Sequence, residues 1–224
     1  FELMKELRIH NIIFSSSASV YGSKHPCPIK EEFSLEPLSP YAQTKVITEN
    51  ILRDISYSVE NFKALNLRYF NPVGCHETIL LGETLSTEAT NLFPVICNVA
   101  GGKKEAIPVF GKDYDTYDGT AVRDYIHIND LVAGHLSALN WFKDENKTSN
   151  INLGTGQGYS VLEIINMFNS ILDKPINFEF CPRRPGDPGS VYADNSLAKS
   201  ELDWSCSRNL EAMCRDSLSW YFRE

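Results

Sequence analysis

Ser15-Ser16-Ser17-Ala18-Ser19-Val20-Tyr21-Gly22, followed by Tyr41-Ala42-Gln43-Thr44-Lys45, decides the reading of this chain. Ahead of the serines, Asn11 to Ser16 is a short apolar run with the look of a buried strand. Behind them, Tyr41 to Val59 carries Val46, Ile47, Ile51, Leu52, Ile55 and Val59 at helical spacing. Strand, serine loop and helix in that order put polar side chains at the carboxyl end of a strand, where open α/β sheets place their sites. Tyr41 and Lys45 stand four apart and share a helix face. An ammonium beside a tyrosine favours the phenolate, so Tyr41 is a candidate general base, or acid in the reverse direction. Ser17 could donate to and accept from the same hydroxyl. Tyr-x-x-x-Lys alone is common on helix faces; the strand and serines before it give it weight.

Outward from that stretch, strands and helices alternate. Residues 1–8 read as the end of a helix and residues 17–40 as a loop. Lys63 to Phe70 reads as a strand ended by Asn71-Pro72. A long loop leads to a helix over Glu88 to Ala100, stopped by Gly101-Gly102. Strands are expected at Ile107 to Phe110, Ile151 to Leu153 and Ile176 to Phe180. Asn129 is expected to cap a helix running to Phe142. Ser160 with Glu163 forms a capping box for a helix to Leu172. Arg183 to Tyr192 reads as a Pro/Gly-rich loop, and short helices follow near 196–202 and 209–222. The fold class is α/β with a parallel sheet.

Composition narrows the function. The 224 residues hold 21 basic and 29 acidic side chains, a formal charge of −8. The acidic balance disfavours a general nucleic-acid binder, and no apolar run reaches the roughly 18 residues of a membrane helix. Cys27, Cys75, Cys97, Cys181, Cys206 and Cys214 form no Cys-x-x-Cys pair, so neither a metal site nor a disulfide framework is expected. Dispersed thiols fit a reducing, cytoplasmic setting.

Several further stretches carry a resemblance: LRYFNPVG (67–74), NLFP (91–94), VFGKDYDTYDGTAVRDYIH (109–127), NLGTGQGYS (152–160) and PRRPGD (182–187). With the serine and Tyr-Lys stretches, they resemble the UDP-glucose 4-epimerase (UDP-galactose 4-epimerase) family of the extended short-chain dehydrogenase/reductases. The resemblance implies a partial Rossmann NAD-binding domain, a doubly wound parallel sheet, over 1–74. It implies a smaller α/β lobe for the UDP-sugar over 75–224, with segments near 104–130 and 150–160 returning to the Rossmann sheet. It implies NAD as cofactor, and interconversion of UDP-galactose and UDP-glucose through a 4-keto sugar that is reduced again on its other face.

By the same resemblance Tyr41 is the base at the sugar 4-hydroxyl, and Lys45 holds the nicotinamide ribose. Ser17 is the hydrogen-bonding partner at the reacting hydroxyl, and Ser15, Ser16 and Tyr69 line the cofactor. Asn71 and Asn91 contact sugar and phosphate, and Phe110 shelves the uracil. Arg123 and Arg184 clamp the diphosphate, Asp187 accepts from the uridine ribose, and Val191 faces the sugar. A small valine there leaves room for an N-acetylhexosamine. Relatives of this kind pair as homodimers through the Tyr-Lys helix. Ile47, Ile51, Leu52 and Ile55 could form that face, or could face the sheet.

Two departures matter. Dehydratases of the superfamily carry an Asp-Glu pair after the strand-end hydroxyl residue; here Ala18-Ser19 stands there. The Gly-x-x-Gly-x-x-Gly turn for the NAD pyrophosphate has no counterpart ahead of residue 15. The expectation is therefore a chain lacking roughly the first hundred residues of the family's usual domain. Such a chain is expected to fold poorly alone, bind NAD weakly and not turn over. Gly154-Thr155-Gly156-Gln157-Gly158 imitates a phosphate loop, but the third glycine of the fingerprint would fall at Tyr159. It reads as a tight strand–helix turn.

Overall fold

The computed structural model describes residues 1–83, 89–142 and 148–223. In chain order the elements are α1 (Glu2–Glu6), β1 (Asn11–Ser17), α2 (Pro40–Ser58), β2 (Lys63–Tyr69), β3 (Asn71–Val73), α3 (Leu92–Ala100), β4 (Ile107–Phe110), β5 (Val122–Arg123), β6 (Tyr125–His127) and α4 (Ile128–Trp141). Then come β7 (Ser149–Leu153), β8 (Tyr159–Ser160), α5 (Val161–Ile171), β9 (Phe178–Cys181), β10 (Ser190–Val191), α6 (Ser196–Leu202) and α7 (Leu210–Tyr221). A 3₁₀ turn over Ala18–Tyr21 follows β1 directly.

The main sheet runs β1-β2-β7, all parallel. Its middle strand, Lys-Ala-Leu-Asn-Leu-Arg-Tyr, is buried from Ala64 to Arg68, as a strand covered on both faces must be. Ser17 pairs with Tyr69, and Tyr69 with Leu153, so three strand ends stop in register at one edge. Everything that follows one of these strands is thereby delivered to one place.

Helix α2 starts where its sequence says it should. Ser39 accepts from the Ala42 amide at 3.1 Å, and Pro40 occupies the first turn, where its missing N–H is harmless. Ala42, Val46, Glu49 and Leu52 form its buried stripe. Burying Val46 and Leu52 is worth about 1.5–3 kcal/mol apiece. The remaining apolar residues divide: Ile47 and Ile51 are exposed and Ile55 half-buried. Its face is therefore partly core and partly surface.

A second core, around Phe93, Ile96, Ile107, Ile164, Phe168 and Met213, joins α3, α5 and α7 over the pair β4-β9. The capping box of α5 is present in both directions, Ser160 to the Glu163 amide and Glu163 to the Ser160 amide. Gly101 ends α3 and Gly102 takes φ +72°, a left-handed value a side chain would resist.

Four expectations shift. The cap of α4 is His127, whose Nδ1 accepts from the Asn129 amide at 3.0 Å; Asn129 is the donor. An imidazole acceptor does the work usually given to Asn, Asp or Ser. Helix α3 begins at Leu92, and the expected start near Glu88 lies outside the described residues. The expected strand over 176–180 runs Phe178–Cys181, held by parallel pairing with β4. Finally, the loop after Arg183 contains β10, which pairs with β5 and brings Val191 opposite Arg123.

Candidate active site

At the carboxyl edge of the sheet the chain changes direction sharply. Ser17 ends β1 and its Oγ accepts from the Ser19 amide at 3.2 Å and the Ser19 hydroxyl at 3.0 Å, closing the 3₁₀ turn. Beside it, Lys45 Nζ donates to the Ser15 carbonyl at 2.9 Å. The same ammonium lies 5.3 Å from the centre of the Tyr41 ring and 5.1 Å from that of Phe14. The four-residue spacing thus does place Tyr41 and Lys45 together, and Tyr41 is 56% exposed. The Tyr69 hydroxyl donates to Ser15 Oγ at 2.8 Å and also meets His135 Nε2. Burial pushes the Tyr69 phenol up, the Ser15 contact pulls it down, and Tyr41 adds to the rise.

Ser16 stands apart from its neighbours. Alternation along a strand turns it to the opposite face, where its Oγ is buried and donates to Glu49 Oε1 at 2.5 Å. Only its backbone shares an edge with Ser15 and Ser17.

Two cavities adjoin this edge. One, of about 270 Å³, is lined by Ser17, Tyr69, Asn71, Arg123 and Val191 among others. The second, of about 390 Å³, is lined by Asn71, Asn91, Phe110, Arg123, Arg184 and Asp187 among others. Asn71 and Arg123 belong to both walls, so the two cavities adjoin there and together make up a groove-like tract beside Ser17. The residues expected at a sugar and those expected at a nucleotide therefore lie in sequence along it.

Within the groove the charges are arranged. Arg184 stacks its guanidinium 4.0 Å from the centre of the Phe110 ring, leaving its N–H groups for an anion. Arg123 pairs with the Asp187 carboxylate through Nη2 and with the Val122 and Pro188 carbonyls at 2.7 and 2.9 Å. Asn91 is the N-cap of α3 yet makes no capping bond with its side chain. Asn91 lines the groove at a helix N-terminus, a setting that favours anions. Thr90, Lys104 and Tyr125 share the wall. Of these, Lys104 had a sequence signal, the basic Lys103-Lys104 pair after Gly101-Gly102; the others had none.

Asp124 is a structural neighbour of the groove that sequence reading did not single out. It is fully buried beside Arg123, and one carboxylate oxygen accepts from the Thr155 amide and hydroxyl at 2.8 and 2.6 Å. The other accepts from the amides of Gly156 and Ala193, both at 3.1 Å. Burial pushes this carboxyl up, and the same donors oppose the rise. The Gly154 turn is thus a real strand–helix turn, and the amides that would hold a phosphate already hold Asp124.

Residues 1–217 match the model of the family described as GDP-mannose 4,6 dehydratase. The chain belongs to this family. Within it the resemblance to UDP-glucose 4-epimerases holds. The UDP-glucose 4-epimerase of Bacillus subtilis (strain 168) is 45% identical over 219 residues, 98% of this chain and 65% of that protein. The chain therefore spans less than two thirds of that relative's length.

Among solved structures, UDP-glucose-4-epimerase from Stenotrophomonas maltophila, with bound NAD and formylated UDP-arabinopyranose, superposes with a TM-score of 0.95 at 42% identity. That match covers 98% of this chain and 66% of that one. The Bifidobacterium longum enzyme in complex with NAD+ and UDP gives 0.91 at 44%, covering 98% and 65%. The α/β fold with parallel sheets expected from sequence is borne out by these matches.

Proposed function

We propose that this chain supplies the catalytic edge and the nucleotide-sugar groove of an NAD-dependent enzyme that interconverts UDP-galactose and UDP-glucose. The single observation that carries this is the pair of adjoining cavities. One holds Ser17 and Val191, the other Arg184, Phe110 and Asp187, and Asn71 and Arg123 line both. A sugar in the first and a UDP in the second would set the diphosphate beside Arg123 and Arg184. Likeness to epimerases that cover the whole chain supports the same reading.

The residues then act as follows. Asp187 and Phe110 take the uridine, Arg184, Arg123 and Asn91 the diphosphate, and Asn71 and Val191 the sugar. Tyr41 takes and returns the proton of the 4-hydroxyl, assisted by Ser17. Lys45 sets the local charge that favours that exchange. The Lys45 ammonium, with the hydroxyls of Ser15 and Tyr69 nearby, suits the ribose and amide end of NAD. NAD held there would supply reversible hydride acceptance for the sugar. No Gly-x-x-Gly-x-x-Gly turn for its pyrophosphate occurs in these 224 residues.

A dehydratase is disfavoured on a specific ground, despite the family's description. Expelling water from the sugar needs an additional acid and base. Among the described residues, the cavity at Ser17 has no carboxylate in its lining.

In the same spirit, residues 1–74 make up a Rossmann portion and 75–224 mainly the substrate lobe. The exposed Ile47 and Ile51 of α2 support self-association into a homodimer. Six thiols, none in a disulfide, fit a cytoplasmic protein. No helix among the described residues is long and apolar enough to cross a membrane.

The test is turnover of UDP-galactose by this chain joined to the N-terminal NAD-binding segment of an epimerase relative, wild type against Tyr41→Phe, with UDP affinity measured by calorimetry. Tyr41→Phe is expected to lose about a hundredfold or more of turnover while UDP affinity stays within about twofold. If the completed wild-type protein binds UDP and NAD and never turns over, the chain instead belongs to a nucleotide-sugar-binding protein.

A further inference from the structure

Beneath the catalytic edge lies a polar cluster that the reaction does not use. Arg68 of β2 is 2% exposed and Glu49 of α2 is 5% exposed. Arg68 donates to Glu49 through two nitrogens, Nε to Oε1 at 3.0 Å and Nη2 to Oε2 at 2.6 Å. Ser16 of β1 donates to the same Oε1 at 2.5 Å. The other arm of Arg68 donates to the Tyr21 hydroxyl at 2.8 Å and the Glu31 carbonyl at 3.1 Å. Tyr21 in turn donates to Asn152 Oδ1 at 2.7 Å, on β7.

The placement of these groups is informative. Tyr41, Lys45 and Glu49 are successive turns of one helix. Ser16 lies between Ser15, which holds Lys45 through its carbonyl, and Ser17. Tyr21 closes the 3₁₀ turn that Ser17 opens. One guanidinium thus touches the helix that carries Tyr41 and Lys45, while through Tyr21 it touches the turn that carries Ser17. A buried ion pair is a poor source of net stability, since desolvation offsets its attraction. Its planar two-nitrogen fork is a good source of geometry.

We propose that Arg68, through Glu49, is a positioning residue that fixes the Tyr41–Lys45 helix against the serine edge of the sheet. Neither side chain touches the groove; each acts through Lys45 and through the Ser16 and Tyr21 contacts. The inference deepens the active-site assignment above and rests on it for its catalytic consequence, but its geometric claim stands alone.

The test compares Arg68→Lys, which keeps the charge and loses the fork, with Ser16→Ala, which keeps the ion pair and frees β1. Leu52→Ala, from the same buried stripe of α2, serves as a control for simple loss of packing. The first readout needs no turnover. Competitive acylation of Lys45 against the surface Lys199, quantified by mass spectrometry on the folded chain, reports whether Lys45 stays on the Ser15 carbonyl. Arg68→Lys is expected to raise Lys45 labelling about threefold or more, Ser16→Ala less, and Leu52→Ala not at all.

The second readout is turnover in the same completed protein, this chain joined to an N-terminal NAD-binding segment. There Arg68→Lys is expected to lower kcat about tenfold while KM for UDP-galactose moves less than about twofold. Unchanged Lys45 labelling in folded Arg68→Lys and Ser16→Ala would overturn the proposal whatever the kinetics. So would a labelling change that Leu52→Ala reproduces. Changed labelling with no turnover even in the completed wild type would sustain the clamp and count against the epimerase assignment instead.

Discussion

Replacing Asp124 by Asn exchanges one oxygen for an NH₂ group and keeps the shape, yet it is expected to be among the more damaging changes in this chain. Four donors converge on the Asp124 carboxylate, two on each oxygen, at 2.6–3.1 Å. Only a carboxylate can accept all four, because an amide offers one oxygen and presents hydrogens at the other position. In either orientation two N–H or O–H donors would face an NH₂ group in a fully buried site. Each unsatisfied buried donor costs about 1–3 kcal/mol, so the pair should cost about 4 kcal/mol. For a chain of this length that corresponds to a fall in Tm of about 8–16 °C. Urea unfolding followed by circular dichroism should show a lower midpoint at unchanged slope. UDP affinity, measured where the variant is fully folded, should change little. A loss below about 1 kcal/mol would show that the Gly154 turn does not depend on this carboxylate. Lost UDP affinity with intact stability would show that Asp124 holds ligand and not backbone.

Other outcomes can be checked alongside it. Arg184→Ala removes a guanidinium from the Phe110 face and should weaken UDP binding about 10–100-fold by calorimetry, at nearly unchanged Tm. His127 accepts at Nδ1 from Asn129 and pairs through Nε2 with Asp216 at 2.9 Å, an arrangement that needs Nδ1 unprotonated. Burial holds its pKa below the ordinary value, against the pull of Asp216. The unfolded chain then binds the extra proton, so stability is complete above about pH 6.5 and declines as pH falls through and below it. Thermal melts between neutral and mildly acid pH should show this decline, and His127→Asn should flatten it; an identical slope in both proteins would exclude His127 as the source.

What the sequence revealed, and what it hid, follows from distance along the chain. Tyr41 and Lys45 were legible because one helical turn separates them, and the Ser160–Glu163 box because capping is local. The strand's alternation turns Ser16 inward to Glu49, whereas the resemblance had set it beside Ser15 at the cofactor. Arg68 and Glu49 were not legible, because nothing near either residue announces its partner nineteen positions away. Asp124 was hidden for the same reason, its donors lying near residues 155 and 193. The His127 cap escaped because an imidazole at that place is unusual and its acceptor atom is a matter of tautomer. The residues proposed for the nucleotide were suggested only through their resemblance to a family. Taken singly, Asn91, Phe110, Arg123 and Arg184 could each have been a cap, a core aromatic or a solvated ion.

The Arg123–Asp187 pair has an effect that reaches beyond the groove's shape. Both partners are largely shielded from water, so the cleft begins with one of its cations already engaged. An incoming diphosphate must exchange one ionic partner for another at Arg123, whereas Arg184 meets it unopposed by any carboxylate partner among the described residues. Added salt screens the old pairing together with the new one. The ionic-strength dependence of binding should therefore resemble that of a site with fewer positive charges than the groove contains. Rejection of neutral sugars would then owe less to raw attraction than to the carboxylate that reclaims Arg123 whenever no phosphate takes its place.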